Sequence, residues 1–244
     1  MKIAHLSDLH IDSSKDEIYG VKPYDNLLRV VSILESHTDI DLAVITGDIS
    51  NDGCKSSYLL ADKAFSKLSF PVYIINGNHD NAKELFETKF KKFRSAPVFS
   101  FGDIDFITIN TVALAEDGTN RSRGILPMME LGRIRNIITN GDRKNIILMH
   151  HPATETGSWL DRRILENRDI FIKTITSSDK VIAVLSGHNH YATTDHVGDC
   201  LFCTAPSVST SFDKELAPFE EAHTPGFNIL TVNDNVCNVI TVRL

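Results

Sequence analysis

The hydrophobic pattern changes period several times along the chain, and each change marks an element. Residues 2–7 read as a strand, and 41–46 form a short apolar run of the kind a strand buried on both faces shows. Between them, 23–35 carries Leu27, Leu28, Val31 and Leu34 on one helical stripe, with Pro23 in the first turn. A second helix places Ala61, Ala64, Phe65 and Leu68 along one side, and a third strand covers 71–76. A β-α-β-α-β opening predicts a parallel sheet with right-handed crossovers. The middle of the chain reads as more antiparallel: 98–101 and 104–109 flank Gly102-Asp103, a two-residue hairpin signal. A helix over 126–139, a buried strand over 145–149, a helix over 160–175 and a strand over 181–185 come next. The end is β again, with 193–197 and 200–204 around Gly198-Asp199, then 227–232 and 236–242 around residues 233–235. Residues 205–226, rich in Ser, Pro and acidic side chains and without a period, are expected to form a long loop over one edge of the domain. Loops of that length are uncommon in compact domains and are often functional. Nothing repetitive or linker-like divides 1–244, which is expected to be a single domain.

At 244 residues the chain is long enough for one well-buried core. Apolar residues make up 42% and charged residues 23%, ordinary for a globular protein. No apolar run approaches the ~18–20 residues of a membrane span, and a strand starts at the first residues, so a cytoplasmic location is expected. A net charge of −7 argues against a stable nucleic-acid complex, where a basic face supplies the affinity. Cys200 and Cys203 have the spacing of a redox or zinc pair, but three residues apart in a strand they face opposite sides and are expected to be buried thiols.

Candidate chemistry gathers just beyond the end of each buried strand. The first is followed by Ser7-Asp8-Leu9-His10, the second by Gly47-Asp48 and the third by Gly77-Asn78-His79-Asp80. The strand ending at Met149 delivers His150-His151-Pro152, and that ending at Leu185 delivers Gly187-His188-Asn189-His190. In open α/β sheets ligands bind beyond the carboxyl ends of strands, where these loops converge. Any one of these segments alone is more often a turn or a surface feature; their joint placement is not. In extended chain residues i and i+2 point the same way, so Asp8/His10 and His188/His190 can each present two donors to one point. Asp, Asn and His without Cys suit Mn, Fe, Zn or Co rather than a thiolate-preferring ion. Seven good donors exceed what one tetrahedral ion needs. Two ions about 3.5–4 Å apart use them, and need an anion between them. Asp48, alone after its strand, is the candidate bridge.

Taken together, Asp8-x-His10, Gly47-Asp48, Gly77-Asn78-His79-Asp80, His150 and Gly187-His188-x-His190 resemble the calcineurin-like metallophosphoesterase superfamily. Within it the chain is most similar to the bacterial class III 3′,5′-cyclic nucleotide phosphodiesterases. His150-His151-Pro152 followed by Gly157-Ser158-Trp159-Leu160-Asp161, Pro206-Ser207, and Pro225-Gly226-Phe227 carry that narrower likeness. The resemblance implies a four-layer α/β/β/α sandwich: two mixed sheets face to face, flanked by helices. It implies that Asp8, His10 and His190 hold one divalent metal ion, that Asn78, His150 and His188 hold the other, and that Asp48 bridges them. A metal-bound hydroxide would attack phosphorus, with His79 at the phosphate and leaving group and with Asn78 and His190 also touching substrate. Asn51 stands where the purple acid phosphatases carry a ligating tyrosine and the serine/threonine phosphatases an aspartate; it can orient His79 but adds no charge. With no arginine in any motif, a diester is expected over a monoester, and 3′,5′-cyclic AMP is the expected substrate. A glycerophosphodiester or 2′,3′-cyclic nucleotide hydrolase, a metal-dependent nuclease and a non-catalytic scaffold are the alternatives. A homodimer through 126–139 or 205–226 is an open expectation. His5 is expected to be a core histidine, and His196 and His223 to be solvated. His151 reads as a supporting side chain or as pocket lining, and Trp159 either as a packing anchor or as a face for a base.

Overall fold

The computed structural model describes every residue except Tyr19, Asp117, 213–220 and His223, with 221 and 222 described in backbone only. The first half runs β1 (Lys2–Leu6), α1 (Pro23–Ser36), β2 (Leu42–Thr46), α2 (Lys55–Ala64), β3 (Val72–Ile75), α3 (Ala82–Glu87) and β4 (Phe93–Arg94). Next come β5 (Val98–Phe101), β6 (Ile104–Thr108), α4 (Met128–Asn140), β7 (Lys144–Leu148), a 3₁₀ turn at Trp159–Arg163, α5 (Arg168–Ile175) and β8 (Val181–Ser186). The chain closes with β9 (Thr193–Val197), β10 (Cys200–Thr204), β11 (Ser211–Phe212), β12 (Glu221–Ala222), β13 (Gly226–Asn233) and β14 (Val236–Arg243).

Two six-stranded sheets result, ordered β14-β13-β1-β2-β3-β4 and β5-β6-β7-β8-β10-β9. Strand alternation then assigns every layer. Ile3, Leu42 and Val44 face Phe106, Ile146 and Leu185 of the other sheet. Their neighbours Ala4, Leu6, Ala43 and Ile45 face the opposite way, against Leu27, Val31 and Leu34 of α1 and Tyr58 and Ala61 of α2. The second sheet buries Ile107, Ile147 and Val184 under Leu131 and Ile134 of α4 and Phe171 of α5. Helix, sheet, sheet, helix is the four-layer α/β/β/α sandwich the sequence suggests. Tyr73 of one sheet stacks on Phe99 of the other at 3.6 Å, and Phe99 on Phe106 at 4.7 Å, stapling the sheets together. Cys200 and Cys203 are buried thiols on opposite faces, one towards the helices and one between the sheets.

Several expectations change. The middle is not mainly antiparallel: only the β5–β6 hairpin is, while β6, β7, β8 and β10 run parallel. On α1, Leu28 is exposed, and Val30 takes its place in the buried stripe. The helix expected at 126–139 starts only at Met128, because Asn167 holds Leu126 through both its N–H and its C=O (2.9 and 2.7 Å). The helix expected at 160–175 is broken in two. Leu165 N–H donates to Pro152 O and Glu166 N–H to Gly124 O, so long-range bonds replace helical ones at 165 and 166. Residues 205–211 are buried rather than laid over an edge: Ser207 pairs with Ser7, and Ser207 Oγ donates to Asp8 O at 2.8 Å. The remainder of that segment, 213–220 and His223, lies outside the described residues.

Candidate active site

β1, β2 and β3 in one sheet and β7 and β8 in the other all deliver their carboxyl ends to one place. There the backbone turns hard. Asp8, His10, Asp48, His188 and His190 all sit at positive φ, between 45° and 71°. Non-glycine residues rarely adopt that region, and strain of this kind persists only where the surroundings hold it and collects at functional sites. The neighbouring glycines let the loops touch: a Cβ on Gly77 would fall on the Asp48 carboxylate, and one on Gly187 on Ser7 Oγ.

The side chains form two nests sharing one carboxylate. In the first, His10 Nε2 lies 3.0 Å from His190 Nε2, and His190 Nε2 lies 3.4 Å from Asp8 Oδ1. In the second, His150 Nε2 lies 3.1 Å from Asn78 Oδ1 and 3.3 Å from His188 Nδ1. Asp48 Oδ2 stands between them, 3.8 Å from His10 Nε2 and 3.4 Å from His150 Nε2. All seven predicted donors are therefore together, and all but Asn78 are buried.

Surrounding groups fix which atom each donor turns inward. His150 Nδ1 donates to Thr46 O at 2.8 Å, and His190 Nδ1 to Thr210 O at 2.7 Å, which leaves both Nε2 lone pairs facing the nests. Asp48 Oδ1 accepts from His79 N–H at 2.8 Å, so Oδ2 is the oxygen left free. Asp8 accepts from His188 N–H at 3.0 Å, tying the β1 loop to the β8 loop. Burial lowers His10 to about 3, so its imidazole is neutral and its lone pair is available. Burial also pulls His150 down, but the Asp48 charge and hydrogen bond outweigh it and raise the group to about 9. Burial pushes Asp48 up, yet His150 and His10 hold it well below the carboxylate range.

This arrangement fits two cations. With Nδ1–H spent on Thr210 O, the His190 Nε2 lone pair faces His10 Nε2, and with Nδ1–H spent on Thr46 O, the His150 Nε2 lone pair faces the carbonyl oxygen of Asn78. Ring nitrogens and oxygens brought this close, with two of the imidazoles oriented from behind, are placed to share a cation once any proton between them is displaced. The donor set is oxygen and imidazole nitrogen, as first-row divalent ions prefer.

His79 is exposed, its ring edge-on to His10 at 4.8 Å, in the wall of a cavity of about 390 Å³ that also takes in Asn51 and Asn78. Trp159, Phe212, Arg162 and Arg163 line the same cavity. This corrects the expectation of a site without arginine: Arg162 and Arg163, on the turn that breaks the expected helix, both line it. His196 is exposed on β9. His5 is a core histidine, Nε2 bonded to Thr46 Oγ1 at 3.0 Å. His151 is buried, with Nδ1 on Thr111 Oγ1 at 2.8 Å and Nε2 without a hydrogen-bond partner among the described residues.

Sequence reasoning assigned no role to Asp80. Its buried carboxylate accepts from Ile49 N–H, Ser50 N–H and Gly77 N–H at 3.2, 3.0 and 2.8 Å, stitching the Asp48 loop to the Asn78 loop. Its position in the Asn78-His79-Asp80 run was the available signal. Thr46 and Thr210 act through backbone carbonyls and leave no signal in side-chain identity.

The sequence pattern of the calcineurin-like phosphoesterases matches residues 1–192. A probable cyclic nucleotide phosphodiesterase of Coxiella burnetii is 33% identical over 88% of this chain and 86% of its own length. Another, from Vesicomyosocius okutanii, is 30% identical over 96% of this chain and 94% of its own. A dimetal phosphatase from Danio rerio has the same fold, with a TM-score of 0.72 at 14% identity over 100% of this chain and 98% of that one. The fold and the paired nests define a metal-dependent phosphoesterase. The chain belongs to the calcineurin-like phosphoesterase family, whose members are dinuclear-metal enzymes.

Proposed function

We propose that this protein hydrolyses a small phosphodiester, 3′,5′-cyclic AMP, with two divalent transition ions (Mn, Fe, Zn or Co). The observation that carries the reading is the single oxygen, Asp48 Oδ2, set within 4 Å of a histidine from each nest (3.8 Å to His10 and 3.4 Å to His150). Asp8, His10 and His190 would hold one ion, Asn78, His150 and His188 the other, and Asp48 both. Such a pair supplies Lewis-acid charge to the phosphoryl oxygens and lowers the pKa of water towards about 7.

The remaining steps belong to the chain's own groups. Asn78 and His190 border the cavity and, with His79, touch the phosphate. The His79 main chain is pinned to Asp48, and its exposed imidazole lies close enough to His10 and Asp48 that the three could share an ion; we assign it to the substrate side instead. A new bond forms from a water oxygen to phosphorus as that water loses a proton to solvent, the ester P–O bond breaks in line, and the His79 imidazolium gives its proton to the departing alkoxide and regains one from solvent. Asn51, on the same wall, sets the angle at which His79 approaches.

The names of relatives at 30–33% identity over most of the chain support a cyclic diester. The missing-arginine argument no longer supports it, since Arg162 and Arg163 face the cavity. Steady-state kinetics with Mn²⁺ on cyclic AMP, bis(4-nitrophenyl) phosphate, 4-nitrophenyl phosphate and AMP decide the matter. The expected order places both diesters above both monoesters in kcat/KM. A monoester preference would make the protein a phosphatase, and turnover of the synthetic diester with none on cyclic AMP would point to a glycerophosphodiester.

A further inference from the structure

The cavity has a second wall that the hydrolytic chemistry leaves unused. Trp159 opens the short 3₁₀ turn Trp159–Arg163, seated by Ser158 Oγ, which accepts from Leu160 N–H at 3.2 Å. Phe212 packs beside Trp159 with ring centroids 5.9 Å apart and the rings tilted by 60°. Phe212 also lies flat on His190, 4.6 Å away and tilted by only 13°. Aromatic surface therefore runs without a gap from a metal-nest histidine to the far side of the cavity. The Arg162 guanidinium lies 5.6 Å from the Trp159 ring centroid, and Arg163 lines the cavity half-buried. Arg121, Arg133, Arg143 and Arg168 each pair with a carboxylate. Arg162 and Arg163, like Arg29, Arg94, Arg123, Arg135 and Arg243, have no carboxylate partner among the described residues, but of these only Arg162 and Arg163 line the cavity.

Planar apolar faces with guanidinium groups beside them recognise a group that is flat, π-rich and edged with acceptors. A nucleobase meets that description; the glycerol or choline-like arm of a glycerophosphodiester does not. We propose that Trp159 and Phe212 form a stacking subsite for the nucleoside arm of the substrate, with Arg163 donating to acceptor atoms on the base edge. A purine offers the larger face and an N7 acceptor, so purine esters are favoured over pyrimidine esters. The inference rests on the diesterase reading and names the residues that would select the base, purine over pyrimidine.

Trp159 is the only tryptophan, so its fluorescence reports the subsite without turnover. In zinc-loaded protein, AMP is expected to quench Trp159 emission, whereas ribose 5-phosphate, which has the same phosphate and no base, leaves it unchanged. Kinetics on cyclic AMP, cyclic CMP and the abasic 3′,5′-cyclic phosphate of 1-deoxyribose supply the second arm. Stacking on an aromatic side chain is worth roughly 5- to 150-fold per base. Trp159→Ala is therefore expected to lower the ratio of kcat/KM for cyclic AMP over the abasic ester about tenfold, mainly through KM. Arg163→Gln should shrink the preference for cyclic AMP over cyclic CMP. Equal kcat/KM for cyclic AMP and the abasic ester in the wild type, or no fluorescence response to saturating AMP, would overturn the subsite while leaving the diesterase reading intact. If no diester is hydrolysed, the diesterase reading fails instead, and the AMP titration still decides whether the wall binds a base.

Discussion

His79 and His151 show how neighbours in sequence take opposite tasks from their nests. His79 follows a candidate ligand, is exposed, has its backbone tied to Asp48 and keeps a ring nitrogen within 4.8 Å of donor atoms of His10 and Asp48. His79→Ala should keep both metal ions and lose roughly 10²–10⁴-fold in rate, as loss of a general acid does. The loss should be smaller for a nitrophenolate leaving group, which departs without a proton. Equal losses for alkoxide and nitrophenolate would assign the residue to phosphate binding, and lost metal would make it a ligand. His151 also follows a candidate ligand, but it is buried with its ring centroid 4.4 Å from that of His188. The Nε2 atoms of His151 and His188 are both buried with no hydrogen-bond partner among the described residues. A histidine presenting Nδ1 to a metal carries its proton on Nε2, and His151, with its Nδ1 held by Thr111, is the ring packed beside it. His151→Ala should weaken one of the two metal positions about 10–100-fold in a chelator competition, the usual effect of removing an orienting partner. Unchanged affinity at both positions would show that His151 only packs.

Turns carry the site, and the turns depend on what packs behind them. Gly77 lies against the Asp48 carboxylate so closely that any Cβ displaces it. Gly77→Ala should therefore cost metal content and activity while the thermal transition still reports a folded chain; activity near that of the wild type would show that the Asp48 loop can shift freely. At this scale the sequence was informative where chemistry sits in side chains at fixed spacing. Asp8-x-His10 and His188-x-His190 were legible because such donors follow five buried strands in turn, although the extended geometry expected of them does not hold: all four sit at positive φ, and His188 and His190 enter different nests. It was silent where support runs through main-chain atoms, as with Thr46 O and Thr210 O, or across loops, as with Asp80. The helical pattern over 160–175 is genuine, but hydrogen bonds from Leu165 and Glu166 to Pro152 and Gly124 override it. That override turns Arg162 and Arg163 into the cavity. The unpatterned 205–212 segment likewise read as surface loop because its contacts, Ser207 to Asp8 and Thr210 to His190, join it to loops that the local pattern does not reveal.

The two sheets each supply part of both nests, so the sandwich must be assembled before either ion can bind tightly. None of the helices among the described residues is long and apolar enough to cross a membrane. Burying so many histidines has a pH signature. Burial lowers His5 and His10 to about 3 and His151 and His188 well below their ordinary value. These groups are neutral when folded and protonate near 6.5 when unfolded, so their contribution is complete above about pH 6.5 and is lost as pH falls towards the folded values. His150, raised to about 9, and Asp80, raised to about 7 by burial and the Asp48 charge, act in the opposite sense. They favour folding at lower pH and lose that contribution as pH rises through those values. Near pH 5.5 the four lowered histidines prevail, and the unfolded chain binds roughly two more protons than the folded one. The metal-free protein should accordingly unfold at lower urea at pH 5.5 than at pH 7.5; a higher midpoint at pH 5.5 would refute this balance. Two nests joined through Asp48 remain the centre of the account. The most direct test is electron paramagnetic resonance of the Mn²⁺-reconstituted protein with metal content measured in parallel. Wild type should hold two ions per chain with an exchange-coupled signal, and Asp48→Ala should lose at least one ion and the coupling together with nearly all turnover. One ion per wild-type chain, or an Asp48→Ala variant with two coupled ions and normal activity, would contradict it.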